Sequence, residues 1–241
     1  MQVEIWSDFV CPFCYIGKRR FEAAVSQFEG QEEIEVIYRS FELDPRAKRD
    51  NNTDIHNLLA SKYGMSREEA KAMNENVGNQ AKEIGLTYHF DTMIPTNTFD
   101  AHRLMHFAKQ QEKLSDMTER LLKAYFTDSE NISDHNTLAK LAAEVGLDQQ
   151  ESLAMLASDE YTQAVHADVE EGQKLGIQGV PFFVINRKYA VSGAQPTEVF
   201  LSALEKAWSE EKPLTILSDS PKGSTDASSC DDTTCNVPTN N

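Results

Sequence analysis

Two cysteines separated by Pro-Phe carry the clearest chemistry in this chain, in the run Trp6-Ser7-Asp8-Phe9-Val10-Cys11-Pro12-Phe13-Cys14-Tyr15. Such a pair can exchange disulfides or supply two thiolates to a metal. A strand-like stretch, residues 1–6, leads into it. Tyr15, Ile16, Phe21, Ala24, Val25 and Phe28 then follow at helical spacing. Cys11 is therefore expected at or just before the first turn of a helix. Backbone N–H groups there lack intrahelical partners, and the helix dipole favours negative charge such as a thiolate. Pro12 near the first helical position loses no hydrogen bond. These features make Cys11 the expected nucleophile. Cys14, one turn deeper, is the partner that closes a disulfide with it. Pro12 and Phe13 carry no charge, so the helix N-terminus, helped by Lys18 or Arg19, is expected to stabilise the thiolate, with Asp8 opposing it.

The elements that must position this pair read as strand, helix and strand over residues 3–6, 14–28 and 34–41. The second strand alternates poorly, as one buried on both faces does. Phe41-Glu42-Leu43-Asp44-Pro45 ends it with a turn signal. From about residue 54 to 175 the pattern is helical. Thr53 is expected to cap a helix over 54–63 that Gly64 stops. Ser66 and Glu69 have capping-box spacing at the head of a helix reaching residue 84. Residues 87–98 read as a loop. Further helices are expected over 99–111, 114–126, 135–145, 149–157 and 159–175. Residues 177–208 return to strand, strand and helix, with Val180-Pro181 opening the first strand and 189–193 as its hairpin mate. The expected organisation is an α/β domain made of residues 1–45 and 176–212, an all-helical insertion over 46–175, and a tail over 213–241. The tail is rich in Ser, Thr, Asp, Asn and Pro and poor in large apolar residues. It nevertheless carries Cys230-Asp-Asp-Thr-Thr-Cys235.

With 39 acidic against 23 basic residues the net charge is −16, a field that repels nucleic acid and anionic membranes. Proteins or neutral small molecules are the expected partners. No apolar run approaches the ~20 residues needed to cross a bilayer. The opening Met1-Gln2-Val3-Glu4-Ile5-Trp6 has no basic region before a long apolar core, so no signal peptide is expected and the location is expected to be cytoplasmic. Four cysteines in 241 residues do not make a disulfide framework, and they fall into two close pairs.

Cys11, Cys14, Cys230 and Cys235 together could hold zinc tetrahedrally. One pair begins a helix and the other lies in a polar tail, however, which favours redox chemistry. His102 and His106 are four apart but lack the glutamate of a metalloprotease helix, so no metal site is assigned. His56, His89, His135 and His166 read as ordinary. The methionines read as core or cleft filling, with a Met-lined peptide groove as the sharper alternative.

A Cys-x-x-Cys at a strand-to-helix junction, followed much later by Val-Pro opening a strand, resembles the thioredoxin superfamily. The long helical stretch between the halves is similar to its DsbA-like branch. SDFVCPFCYIGKRRFE, NTFDAHRL, GIQGVPFFVINRKYAVSGAQP and the tail cysteines look like the FrnE group of oxidoreductases. The resemblance implies a thioredoxin fold, βαβ and ββα units around a helical insertion. It also implies a cis bond before Pro181 beside the cysteines, leaving the Val180 backbone to pair with an extended substrate. Asn97, His102 and Arg103 are implied to face the cleft on the substrate side. Cys230 and Cys235 are implied to form a second redox pair, exchanging with Cys11–Cys14 or with substrate. The implied activity is thiol–disulfide exchange, with isomerisation, on protein or peptide thiols and disulfides. It needs no bound cofactor, only a reductant such as glutathione or thioredoxin for recycling. The alternatives are an enzyme like the kappa-class glutathione transferases or 2-hydroxychromene-2-carboxylate isomerases, and a non-catalytic zinc or peptide module. The former needs one nucleophile, whereas two stand here at redox spacing.

Overall fold

A computed structural model describes residues 1–49 and 53–211. The expected tail over 213–241, with Cys230 and Cys235, lies outside the described residues. β1 (Gln2–Ser7) is the axis of the sheet. Its side chains divide by the two-residue period of a strand. Val3 and Ile5 enter the main core, while Trp6 joins Ile177 and Val184 in a smaller cluster. β1 pairs in parallel with β2 (Glu35–Ser40) and antiparallel with β3 (Phe182–Ile185). β3 pairs antiparallel with β4 (Tyr189–Ser192), giving the order β2-β1-β3-β4. A parallel pair needs a crossover between its strands. Here the crossover is α1 (Pro12–Val25), so the Cys11–Cys14 helix is fixed by the strand pairing itself.

α1 and α9 (Thr197–Glu211) pack together on the sheet. Phe21, Phe183 and Phe200 meet there with ring centroids between 4.6 and 5.9 Å apart. α8 (Thr162–Lys174) lies against β2 and Trp6. The Trp6 indole donates to the Asp168 carbonyl at 2.9 Å, and a Cβ on Gly172 would come within 2.9 Å of the same indole nitrogen. The buried Glu4 carboxylate is matched by Arg39 and Arg187, as a carboxylate removed from water requires.

Between the two halves of the sheet run α2 (Ile55–Tyr63), α3 (Arg67–Glu83), α4 (Phe99–Gln110), α5 (Leu114–Phe126), α6 (His135–Glu144), α7 (Gln149–Ala157) and then α8. α4 is the hub. Ala101, Leu104, Met105 and Ala108 are all buried, and it packs on α5, α6, α7 and α8. The result is a mixed α/β, DsbA-like thioredoxin fold with a helical insertion. Met1–Glu211 form one compact unit, in which α8, inside the expected insertion, helps to cover the sheet. No helix among the described residues is long and apolar enough to cross a membrane.

Four helix starts follow local side-chain chemistry. Ser66 and Glu69 make the expected capping box. Asp134 and Asp148 cap α6 and α7. At α2 the cap is Asp54 rather than Thr53, because the Asp54 carboxylate reaches the Asn57 N–H at 2.9 Å. Gly64 ends α2 in the left-handed region, φ 68. α8 begins at Thr162 rather than near residue 159, because Tyr161 sits at φ 62 and cannot continue a right-handed helix. α1 ends at Val25, three residues before Phe28.

Candidate active site

β1 stops at Ser7, and a turn closed by Cys11 N–H to the Asp8 carbonyl, 3.1 Å, carries the chain into α1. Cys11 is the N-cap residue in extended conformation, φ −90 and ψ 111, and Pro12 takes the first helical position. The Cys14 N–H bonds the Cys11 carbonyl at 3.0 Å. The Cys11 sulfur thus stands at the positive end of α1. Its thiol donates toward the carbonyl of Val180 at 3.4 Å. The Val180–Pro181 peptide is cis. This loop is held onto α1 from two sides. Pro181 packs over Gly17, where a Cβ would come within 2.9 Å of Pro181 Cγ, and Arg20 donates to the Ala194 carbonyl at 2.6 Å.

Both cysteines are reduced and buried, Cys11 5% and Cys14 3% exposed. Burial first, then hydrogen bonding to Cys11 and the negative charge there, push the Cys14 thiol well above its ordinary value. The Asp8 backbone N–H pointing at the Cys14 sulfur, 3.5 Å, only partly offsets this. The Cys14 thiol therefore favours its protonated form. The Tyr88 hydroxyl donates to the Pro12 carbonyl at 2.8 Å, gripping the turn between the two sulfurs from the segment after α3. Burial, and then the negative charge of Tyr15 and the two cysteines, raise the Tyr88 phenol far beyond its ordinary range. It remains a donor at any physiological pH. Tyr88 was not among the expected site residues, since it lies in a stretch with no periodicity to single it out.

Several expected contributions are corrected by the geometry. Lys18 and Arg19 do not face the sulfurs. Lys18 is 4% exposed and lies between Glu22 and Glu119, and Arg19 binds the same two carboxylates. Their charge is neutralised locally, which leaves the positive end of α1 as the charge beside the Cys11 sulfur. Asp8 is likewise not a free opposing charge. Its carboxylate accepts from the Leu43 N–H at 2.7 Å and meets His102 Nε2 at 3.3 Å. Arg103 is not on the substrate side. It is buried, and its five N–H groups go to Asp100 and the carbonyls of Met155, Leu156, Ser158 and Glu160, clasping α4 to the last turn of α7 and the segment after it. Asn97 ties the Ala47 carbonyl, 3.2 Å, to the start of α4 through the Phe99 N–H, 2.9 Å. It lines a polar cavity of about 340 Å³ with Glu42, Arg49 and His166, away from the sulfurs. His102 is buried beside Phe9, its ring 4.7 Å from the Phe9 ring, and touches the site only through Asp8.

His102 and His106 do not converge. His106 Nε2 lies 3.1 Å from both Ser40 Oγ and Asp168 Oδ2, in a separate buried network. Among the described residues no three His, Cys, Asp or Glu groups are arranged to hold a metal. Beside the cysteines the surface is partly apolar, with Asp44, Asn57 and Lys62 also on the walls of the cavity there. Phe13 and Leu43 are each 40% exposed, and a cavity of about 540 Å³ opens among Val10, Pro12, Leu43, Ile55, Leu58 and Tyr63.

Comparison with known proteins agrees with this geometry. The family model described as a DSBA-like thioredoxin domain matches residues 2–205. Protein YwbO of Bacillus subtilis (strain 168), itself uncharacterized, is 31% identical over 214 residues, covering 88% of this chain and 98% of YwbO. The crystal structure of a probable DsbA oxidoreductase, SCO1869 from Streptomyces coelicolor, superposes with a TM-score of 0.85 at 43% identity, covering 99% of both chains. A 2-hydroxychromene-2-carboxylate isomerase shares the fold at 14% identity, with a TM-score of 0.68 over 87% of this chain and 97% of its own.

Proposed function

Since this chain belongs to the DSBA-like thioredoxin domain family, we propose that it is a thiol–disulfide oxidoreductase working through Cys11 and Cys14. The observation that carries this reading is the asymmetry of the pair. Cys11 stands at a helix N-terminus against the Val180 carbonyl, and Cys14 is held protonated one turn deeper. The Cys11 thiolate attacks one sulfur of a substrate disulfide. A Cys11–substrate disulfide forms, and the other substrate sulfur leaves with the electron pair. Cys14 then attacks Cys11 sulfur, closing Cys11–Cys14 and releasing the second substrate thiolate. Run in reverse, the same steps oxidise a dithiol, and alternating them isomerises disulfides.

Protein or peptide segments are the expected substrates. The exposed rings and aliphatic groups of Phe13, Leu43 and Tyr63 suit apolar side chains, and the Val180 backbone beside Pro181 suits an extended chain. The reaction needs no bound cofactor. Glutathione or thioredoxin in the cytoplasm is the proposed reductant, and Cys230 and Cys235 a second pair exchanging with the first. Glutathione conjugation, the chemistry of enzymes with one nucleophile on this architecture, leaves Cys14 without a purpose. Insulin reduction by dithiothreitol tests the proposal. Wild type should accelerate it and Cys11→Ser should not. Equal rates with Cys11→Ser and wild type refute the reading. A Cys230→Ser/Cys235→Ser variant reports on the second pair.

A further inference from the structure

The cavity beside the cysteines holds a polar group that the fold does not use. Its volume is about 540 Å³, and Val10 and Pro12, from the turn that carries Cys11, line it together with Leu43, Leu58 and Lys62. Tyr125 of α5 lines it too. Tyr125 is 2% exposed, and its ring meets Phe126 edge to face with centroids 4.9 Å apart. Its hydroxyl makes no hydrogen bond among the described residues, although buried phenols usually find a partner. Among those residues, His102 Nδ1 is the one side-chain nitrogen or oxygen that is both sealed from solvent and unpaired. The Tyr125 hydroxyl is unpaired but not sealed, so it opens onto the cavity that the residue lines.

Packing alone does not call for this hydroxyl. A phenylalanine has the same ring, and the neighbouring core position, Phe126, is filled by one. Burial first, and then the negative charge of Asp8, raise the Tyr125 phenol far beyond its ordinary range. It therefore keeps its proton and presents a donor. The Asp8 carboxylate is occupied by the Leu43 N–H and by His102, and makes no bond with the phenol. Leu43, Ile55 and Leu58 give the cavity an apolar bed, with Asp44, Asn57 and Lys62 also on its walls. A peptide segment is the complement of such a bed with a fixed donor, because each residue adds a backbone carbonyl to its side chain.

Resting on the oxidoreductase reading, we propose that Tyr125 binds substrate, its hydroxyl donating to a backbone carbonyl of the peptide that carries the reacting disulfide. The apolar side chain beside the substrate cysteine lies on Leu43, Ile55 and Leu58. Leu43 is fixed for this by the bond from its N–H to Asp8, 2.7 Å. The hydroxyl holds the peptide equally before and during exchange of the sulfurs, so it serves binding and not the chemical step. A disulfide without a carbonyl gains nothing from it. The rival partner for the hydroxyl is a water in the cavity.

Tyr125→Phe separates peptide from water, because it keeps the ring and removes only the donor. Two disulfides are compared as substrates for reduction by dithiothreitol. One is the disulfide of N-acetyl-leucyl-cysteine amide, and the other is hydroxyethyl disulfide, which has no carbonyl. For the peptide, KM should rise about three- to tenfold while kcat stays within about twofold of wild type. For hydroxyethyl disulfide both constants should stay within about twofold. The urea midpoint should not fall, since no internal hydrogen bond is lost. An unchanged peptide KM assigns the hydroxyl to water and overturns the proposal. An equal loss with both disulfides, the mark of a structural role, overturns it as well. Wild type that reduces neither disulfide overturns the oxidoreductase reading itself, and the proposal falls with it.

Discussion

Gly17 and Pro181 are in contact across the active site: a Cβ at position 17 would lie 2.9 Å from Pro181 Cγ and 3.5 Å from the Ala194 backbone. The absence of a side chain there lets α1 press against the loop whose Val180 carbonyl meets the Cys11 sulfur. Gly17→Ala should therefore push the loop away from Cys11. Overpacking of this kind costs about 1–3 kcal/mol. The alanine is itself helix-favouring, which offsets part of that cost. Stability by urea unfolding should fall modestly, while kcat/KM for disulfide reduction should fall at least about tenfold, as misplacement of reacting groups does. Unchanged kcat/KM would show that the Val180–Cys11 contact has no part in turnover.

Cys14 gives a pH prediction whose sign is fixed by its burial. Its thiol is raised in the folded protein, so the folded state holds a proton that the unfolded chain releases near ~8.5. That contribution to stability is complete below the unfolded value and is lost as pH rises through the folded one. Reduced wild type should lose stability more steeply than Cys14→Ser from about pH 8.5 upward. Urea midpoints measured under reducing conditions would show it. Parallel curves would mean that Cys14 is not held protonated.

Arg103 should act on folding and not on substrate. Arg103→Lys replaces five directed donors with a compact ammonium, leaving carbonyls at and after the end of α7 unpaired and Asp100 with a weaker partner. A loss of about 3–5 kcal/mol is expected, the range for breaking a buried pair. KM for a peptide disulfide, measured well below the melting temperature, should stay within about twofold of wild type. A large rise in KM with normal stability would restore Arg103 to the substrate side.

Tyr88→Phe removes one hydrogen bond, to the Pro12 carbonyl between the two sulfurs. About 1 kcal/mol of stability should be lost. Because the bond grips the turn that joins the sulfurs, the Cys11–Cys14 equilibrium with glutathione should shift as well. A stability loss with no shift in that equilibrium would confine Tyr88 to packing.

These residues show what the sequence makes legible and what it does not. The strand–Cys-x-x-Cys–helix unit, the Ser66–Glu69 capping box and the order of the helices rest on local spacing, and they appear where periodicity and capping chemistry put them. Charge partners rest on contacts distant in the chain. Glu119, about a hundred positions from Lys18 and Arg19, decides that those cations cannot serve the thiolate. His102, 94 positions from Asp8, decides that Asp8 is not a free opposing charge. The resemblance put Arg103 at the cleft, yet backbone carbonyls at and after the end of α7 claim it, and carbonyls leave no mark in a sequence. At α2 the choice of Asp54 over Thr53 turned on one residue of register, below what spacing alone resolves.

The central claim is a division of labour, in which Cys11 attacks and Cys14 resolves. Mass spectrometry of Cys14→Ser and Cys11→Ser after brief exposure to a peptide disulfide tests it most directly. Cys14→Ser should accumulate a peptide adduct that proteolysis maps to Cys11, while Cys11→Ser should carry none on Cys14. An adduct on Cys14 in Cys11→Ser, formed as fast as that on Cys11, would contradict the account.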